Sequence, residues 1–206
     1  MSQIALDLQD VTSGYKASVV LRKLSMTVAS GDAVALLGKN GMGKTTLLKT
    51  IMGYLPKKSG AIHLNGQDIT RLPPHRIARA GIAYAAQEHA LFPDLTIRDN
   101  LRLGLEKVSV FDERFAEIEP IFPVFKSRLK DEITEGLQPS VIDRLAEALL
   151  WERRRHGTTL LLIEQHVPFA LKVADRYAVL KQGEIIDNGD AKNPVAADSV
   201  FEHLRV

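Results

Sequence analysis

The 206-residue chain has no cysteine. That excludes disulfides and thiolate metal sites, and it suits the cytosol. No apolar stretch approaches the roughly 20 residues that a membrane-crossing helix needs, so any crossing falls to other chains. The opening residues, MSQIALDLQD, carry acids and lack a long apolar core, which argues against a signal peptide. Charge of one sign is also scarce. A formal net charge of +2 is too small to argue for a nucleic-acid partner. There is no internal repeat and no low-complexity linker. What is present is a globular composition, 45% hydrophobic and 25% charged, in a length that suits one sizeable domain or a domain with a small satellite.

The chain is organised around residues 33–46, AVALLGKNGMGKTT. A continuous apolar run is followed by G-x-x-x-x-G-K-T and at once by a helical pattern, the context that gives this motif its meaning. Gly38, Gly41 and Gly43 let the backbone turn tightly and aim its N–H groups inward. With the positive end of the following helix, those donors form a site for phosphate oxygens, built from Gly38, Lys39, Asn40, Gly41, Met42, Gly43, Lys44, Thr45 and Thr46. Lys44 would reach the outer phosphates as a point charge. The Thr45 hydroxyl would ligate Mg²⁺ bridging the terminal phosphates.

Along the chain, Ile4, Leu6 and Leu8, and then Leu24, Met26 and Val28, alternate with polar residues and read as strands. Leu47, Leu48, Ile51, Met52 and Leu55 share one helical face. Residues 60–69 read as two strands about an Asn65-Gly66 turn. Pro73 and Pro74 introduce a short helix, and residues 82–86 read as a buried strand delivering Gln87. Thr96 with Asp99 resembles an N-cap before Leu101 and Leu103. Phe111, Phe115 and Ile118 suggest another helix, and Ser140 with Asp143 caps one that ends in Arg153, Arg154, Arg155 and Gly157. Residues 160–163 are a second fully apolar strand. A hairpin about Gln182-Gly183 and a helix near Phe201 close the chain. Antiparallel signals followed by alternating strands and helices predict an α/β core with a parallel sheet flanked by helices and an N-terminal antiparallel β flank.

The order of Tyr15, the phosphate loop, Gln87 in AAQEHALFPDLTIRDNL, Asp131-Glu132 in DEITEGLQPS and Gln165 after LLLI resembles the ATP-binding subunit of an ATP-binding-cassette transporter. The wording of those stretches is similar to importers for branched-chain amino acids and urea, with TEGLQPS leaning toward urea. The resemblance covers nearly the whole chain. It implies a P-loop NTPase fold in a single domain over residues 1–206, with a helical subdomain at about 90–130. It also implies ATP and Mg²⁺ as cofactors. The expected partners are transmembrane permease subunits and a second ATP-binding subunit, a paralogue. The expected place is cytoplasmic, peripheral on the inner face of the cell membrane.

The resemblance also implies roles. Tyr15 would stack on adenine; the alternative is a half-buried surface tyrosine. Gln87 would ligate Mg²⁺ and sense the γ-phosphate; the alternative is a strand-end amide. Asp131 would hold Mg²⁺ through water and Glu132 would polarise the attacking water; the alternative is an acidic pair opening a helix. Gln165 stands where many cassettes carry a histidine touching the γ-phosphate, and the neighbouring His166 would point elsewhere. Ile133 replaces the proline usual after the acidic pair.

One departure is larger. The family places a serine-glycine signature loop, a helix and an apolar strand before the Asp-Glu pair, and here the preceding residues are PVFKSRLK. No LSGG-like sequence occurs. The missing elements would take roughly 30 residues. Either a segment is absent from the sequence as given, or the deletion is real and the protein is a degenerate cassette that binds ATP in a regulatory or structural role with little hydrolysis.

Overall fold

The computed structural model describes residues 3–85, 92, 94–105, 107–131 and 140–205. They fall into two compact units, one of residues 1–83 with 152–206 and one of residues 84–151.

The first unit carries two sheets. β1 (Ile4–Ser13), β2 (Leu21–Ala29), β4 (Lys57–Leu64) and β5 (Gln67–Asp68) form an antiparallel sheet in the order β2-β1-β4-β5. The second sheet has the order β6-β3-β7-β8, from β3 (Ala33–Leu37), β6 (Leu160–Glu164), β7 (Arg176–Lys181) and β8 (Glu184–Asp190). β3 pairs in parallel with β6 on one side and β7 on the other, and β8 adds antiparallel to β7. A parallel strand with neighbours on both sides is enclosed on every face, which is why AVALL has no polar residue and all five positions are buried. Ala35 and Leu37 pack into a core with Val167, Ala170, Tyr177, Val179 and Val200. This is the α/β fold that the sequence predicts.

α1 (Lys44–Ile51) follows the phosphate loop and buries Leu47 and Ile51. Its Thr50 hydroxyl, itself buried, donates to the Thr46 carbonyl at 2.7 Å and lies 2.8 Å from the Ser13 hydroxyl of β1. α2 (Pro74–Arg79) starts on the proline that needs no N–H partner there. α7 (Val167–Val173) and α8 (Ala196–Leu204) complete the unit.

The second unit holds α3 (Ile97–Leu103), α4 (Phe111–Ile118), α5 (Val124–Arg128) and most of α6 (Ser140–His156). Its core is Phe111, Phe115 and Leu129, with the two rings stacked at 5.6 Å and the Arg98 guanidinium 5.0 Å from the Phe111 centroid. Thr96 caps α3 as expected, accepting the Asp99 N–H at 3.1 Å. The expected cap by Ser140 and Asp143 rests on side chains outside the described ones.

One predicted strand is absent. Residues 82–85 form no strand and alternate between half-buried and exposed; Ala86 lies outside the described residues. Among the described residues β6 is the outermost parallel strand of its sheet, and residues 82–85 make no ladder with it. For the same reason β6 is only half-buried throughout, despite its four apolar residues.

Asp175 fixes where β3 begins. Its carboxylate accepts the Ala33 N–H at 2.9 Å, its own N–H donates to the Ala33 carbonyl at 2.8 Å, and the Arg153 guanidinium donates to the same carboxylate. Arg153 also donates to the Gly31 carbonyl at 2.9 Å. Asp175→Ala leaves a strand N–H and a guanidinium without their acceptor, so stability should fall by about 1–3 kcal/mol. Urea unfolding checks this, as a lower midpoint with unchanged slope.

Candidate functional site

The buried strand β3 ends at Leu37 and delivers the loop of residues 38–43 to α1. Gly43 takes φ 108°, a left-handed conformation that a side chain resists, and it is the cap residue of α1. The helix has no side-chain cap and no acid in its first turn. Its first N–H groups are therefore free of internal acceptors, and its positive end faces the loop. That arrangement suits a phosphate group.

Lys44 is the first residue of α1, and its ammonium folds back onto the loop. It donates to the Gly38 carbonyl at 2.5 Å and to the Lys39 carbonyl at 2.8 Å. Burial holds the Lys44 pKa below the usual lysine range, and the negative charge of Glu164 pulls it partly back. Thr45 is exposed on the first turn, Thr46 is buried beneath it, and Lys39, Asn40 and Gly41 are exposed at the loop's crest.

The loop is braced from two directions. From one side, a Cβ at Gly43 would stand 3.1 Å from the Leu21 side chain, so the start of β2 packs against it. β2 returns from the turn that carries Tyr15, which is 43% exposed. From the other, the β7–β8 hairpin reaches the loop through the Gly183 N–H, which donates to the Met42 carbonyl at 3.1 Å. Gly183 has φ 84°, and a Cβ there would fall 1.7 Å from the Val20 carbonyl oxygen. No side chain fits.

β6 brings a second charged group to this end of the sheet. The register sets Glu164 opposite Leu37. Gln165 follows, exposed, with its N–H donating to the Glu164 carboxylate at 3.1 Å. His166 caps α7, its Nδ1 accepting the Phe169 N–H at 3.3 Å. The sequence reading missed Glu164 and the hairpin brace. A strand-end carboxylate and a Gln-Gly turn look ordinary until the register is known.

Gln87 and Glu132 lie outside the described residues. Asp131 belongs to the second unit. It sits just beyond α5, where its carboxylate accepts from Arg128 Nε at 2.9 Å and its carbonyl accepts the Ile97 N–H at 3.0 Å. No strand leads into it among the described residues.

The groups present fit a nucleoside triphosphate with Mg²⁺. The open helix N–H groups and Lys44 suit phosphate oxygens, and a hydroxyl and carboxylates are the hard donors that Mg²⁺ takes. Among the described residues there is no cluster of three or more acids, histidines or cysteines able to hold an ion unaided.

A family model described as ABC transporter matches residues 21–158. The probable branched-chain amino acid transport ATP-binding protein LivF of Archaeoglobus fulgidus is 30% identical over 226 aligned positions, covering 94% of this chain and 95% of that protein. The high-affinity branched-chain amino acid transport ATP-binding protein BraG of Pseudomonas aeruginosa is 31% identical, covering 94% and 98%. The sulfate/thiosulfate import ATP-binding protein CysA of Mycobacterium tuberculosis is 33% identical, covering 88% of this chain and 60% of its own. Among solved structures, a nucleotide-free ATP-binding cassette from an ABC transporter superposes with a TM-score of 0.82 at 19% identity, over 97% of this chain and 95% of the other. That likeness concerns the fold.

Gly183→Ala tests the hairpin brace. The added methyl group must displace Val20 or the hairpin at a cost of about 1–3 kcal/mol. Thermal unfolding should begin several degrees lower, and triphosphate affinity should fall although residue 183 belongs to no phosphate-binding motif. Unchanged affinity at a lowered midpoint would show that the brace serves stability alone.

Proposed function

The chain belongs to the ABC transporter family, a family of ATPases, and from that premise we propose that it is the ATP-binding and hydrolysing subunit that energises a membrane importer for branched-chain amino acids or urea. The observation that carries the reading is the braced phosphate loop with Lys44 at the open end of α1. Within it, Tyr15 stacks on the base, the residue 38–46 loop holds the phosphates, and Gln165 addresses the γ-phosphate end. Two relatives named for branched-chain amino acid transport are matched over almost their whole length. The sulfate relative is matched over 60% of its length, which favours the former solute class. The urea alternative rests on TEGLQPS in the sequence.

Among the described residues no helix is long and apolar enough to cross a membrane. The proposed place is therefore peripheral, on the cytoplasmic face, against permease subunits and a second ATP-binding subunit. Phe92 is 58% exposed, with its backbone held by Asn100 at 2.8 and 2.9 Å. A large apolar side chain presented on a clamped loop suits a permease contact.

A second reading, the degenerate cassette, is favoured by one observation. Among the described residues no strand leads into Asp131, where the family resemblance expects a signature loop, a helix and an apolar strand.

Two measurements test these readings, the first their shared ATP binding and the second the difference between them. Lys44→Ala should weaken Mg-ATP binding tens- to hundredfold, since a charge-assisted contact is worth about 2–3 kcal/mol. Because the wild-type lysine loses its proton below the usual lysine range, wild-type affinity should decline as pH rises toward that range. The Lys44→Ala protein should lack this decline. Calorimetric titration against pH checks both, and equal affinity in the two proteins would remove the functional reading. On the degenerate-cassette reading, steady-state hydrolysis by the purified chain should be negligible, because losing preorganised donors at the developing charge typically costs about 10²–10³-fold. Robust turnover would favour the intact ATPase over the degenerate cassette.

A further inference from the structure

We propose that Arg22 is a positioning residue of the nucleotide site: it grips the β7–β8 turn, and through that turn it holds Met42 and the phosphate loop in their receiving conformation. The inference rests on the ATP binding proposed above.

The turn consists of Gln182 and Gly183, the two residues between β7 and β8. Both have positive φ, 51° and 84°, as the tightest hairpin turns require. Glycine takes that conformation freely, whereas glutamine takes it at a cost. The ladder bonds of such a hairpin belong to the flanking residues, so the peptide groups of the central pair face water unless something else takes them. Here all four have protein partners. The Gln182 carbonyl accepts from Arg22 Nη1 at 2.7 Å, and the Gly183 carbonyl accepts the Arg22 N–H at 3.0 Å. On the other side, the Gln182 N–H donates to Met42 Sδ at 3.5 Å and the Gly183 N–H to the Met42 carbonyl at 3.1 Å. One residue of β2 thus takes both carbonyls, and one residue of the phosphate loop takes both N–H groups.

Met42 is the point of the loop that most needs holding. It stands between Gly41 and Gly43, with φ 81° and 108°, and glycines on both sides give that stretch little backbone preference of its own. Its conformation is set from outside, by the turn. The turn in turn depends on Arg22, whose charged donor is stronger than a neutral one and offsets the unfavourable backbone of Gln182. Among the described residues the Arg22 side chain donates to the turn and makes no hydrogen bond to the phosphate loop. Its effect on a ligand therefore passes through the hairpin. A loop already ordered when the phosphates arrive loses less freedom on binding. Removing the grip weakens nucleotide binding without removing any contact to the nucleotide.

The test is a double-mutant cycle on Mg-ATP affinity, read by calorimetry well below the unfolding midpoint of each protein. Arg22→Ala should bind about tenfold more weakly than wild type. Arg22→Lys keeps one charged donor for the Gln182 carbonyl and should recover most of the loss. Since Arg22 and Gly183 act through one turn, Arg22→Ala combined with Gly183→Ala should bind about as weakly as Gly183→Ala alone. If Arg22→Ala does not fold, Arg22→Gln takes its place in the same cycle.

Wild-type affinity in the folded Arg22 variant overturns the proposal, because a residue that serves stability alone lowers the unfolding midpoint and leaves affinity unchanged. So does a double variant whose loss is the product of the two single losses, since Arg22 would then reach the site by another route. Both results leave wild-type binding intact and sink this inference alone. A wild type that does not bind Mg-ATP defeats the underlying functional reading and this inference with it.

Discussion

β3 has a parallel strand on each side, and the geometry of the first unit follows from that double pairing. A five-residue strand in this position can expose no polar side chain, so its carboxyl end is the first place where the chain can turn toward water. The loop of residues 38–43 begins there. At the other end of β3, Asp175 and Arg153 tie the strand's first N–H to the start of β7 and to the last turn of α6. The strand is thus pinned at its start and braced at its end, and the phosphate loop inherits a fixed position. The hairpin contact between Gly183 and Met42 extends the same restraint to the loop itself.

This restraint explains why a lysine can be held half-buried against two carbonyls. An ammonium removed from water is costly unless its donors are satisfied. Lys44 meets that requirement with the Gly38 and Lys39 carbonyls and with the nearby charge of Glu164. An incoming phosphate would replace weak neutral acceptors by charged ones. The binding free energy would come from that exchange together with the open N–H groups of α1, with little backbone reorganisation.

Much of this is legible in the sequence because it is local. The apolar run, the glycine spacing and the onset of α1 occupy adjacent positions, and periodicity locates α4 from Phe111, Phe115 and Ile118. What depends on distant pairing is less legible. Residues 82–85 have the composition of a strand but find no ladder among the described residues, so composition alone misleads. The brace joins Gln182-Gly183 to a loop residue 140 positions away, and no local signal marks that contact. Glu164 escaped for the same reason. An acid after an apolar strand reads as a boundary, and its value lies in being level with Leu37 of another strand. No apolar run precedes Asp131 in the sequence, and the structure places Asp131 at a turn closed by Arg128.

The central claim is that the phosphate loop braced by β2 and the β7–β8 hairpin is the nucleotide site. Amide hydrogen exchange of the full chain, with and without a non-hydrolysable ATP analogue and Mg²⁺, tests it directly. The account predicts slowed exchange across residues 38–46 and, through the Met42 contact, at Gly183. Nucleotide-dependent protection that appears elsewhere while residues 38–46 exchange as before would contradict it.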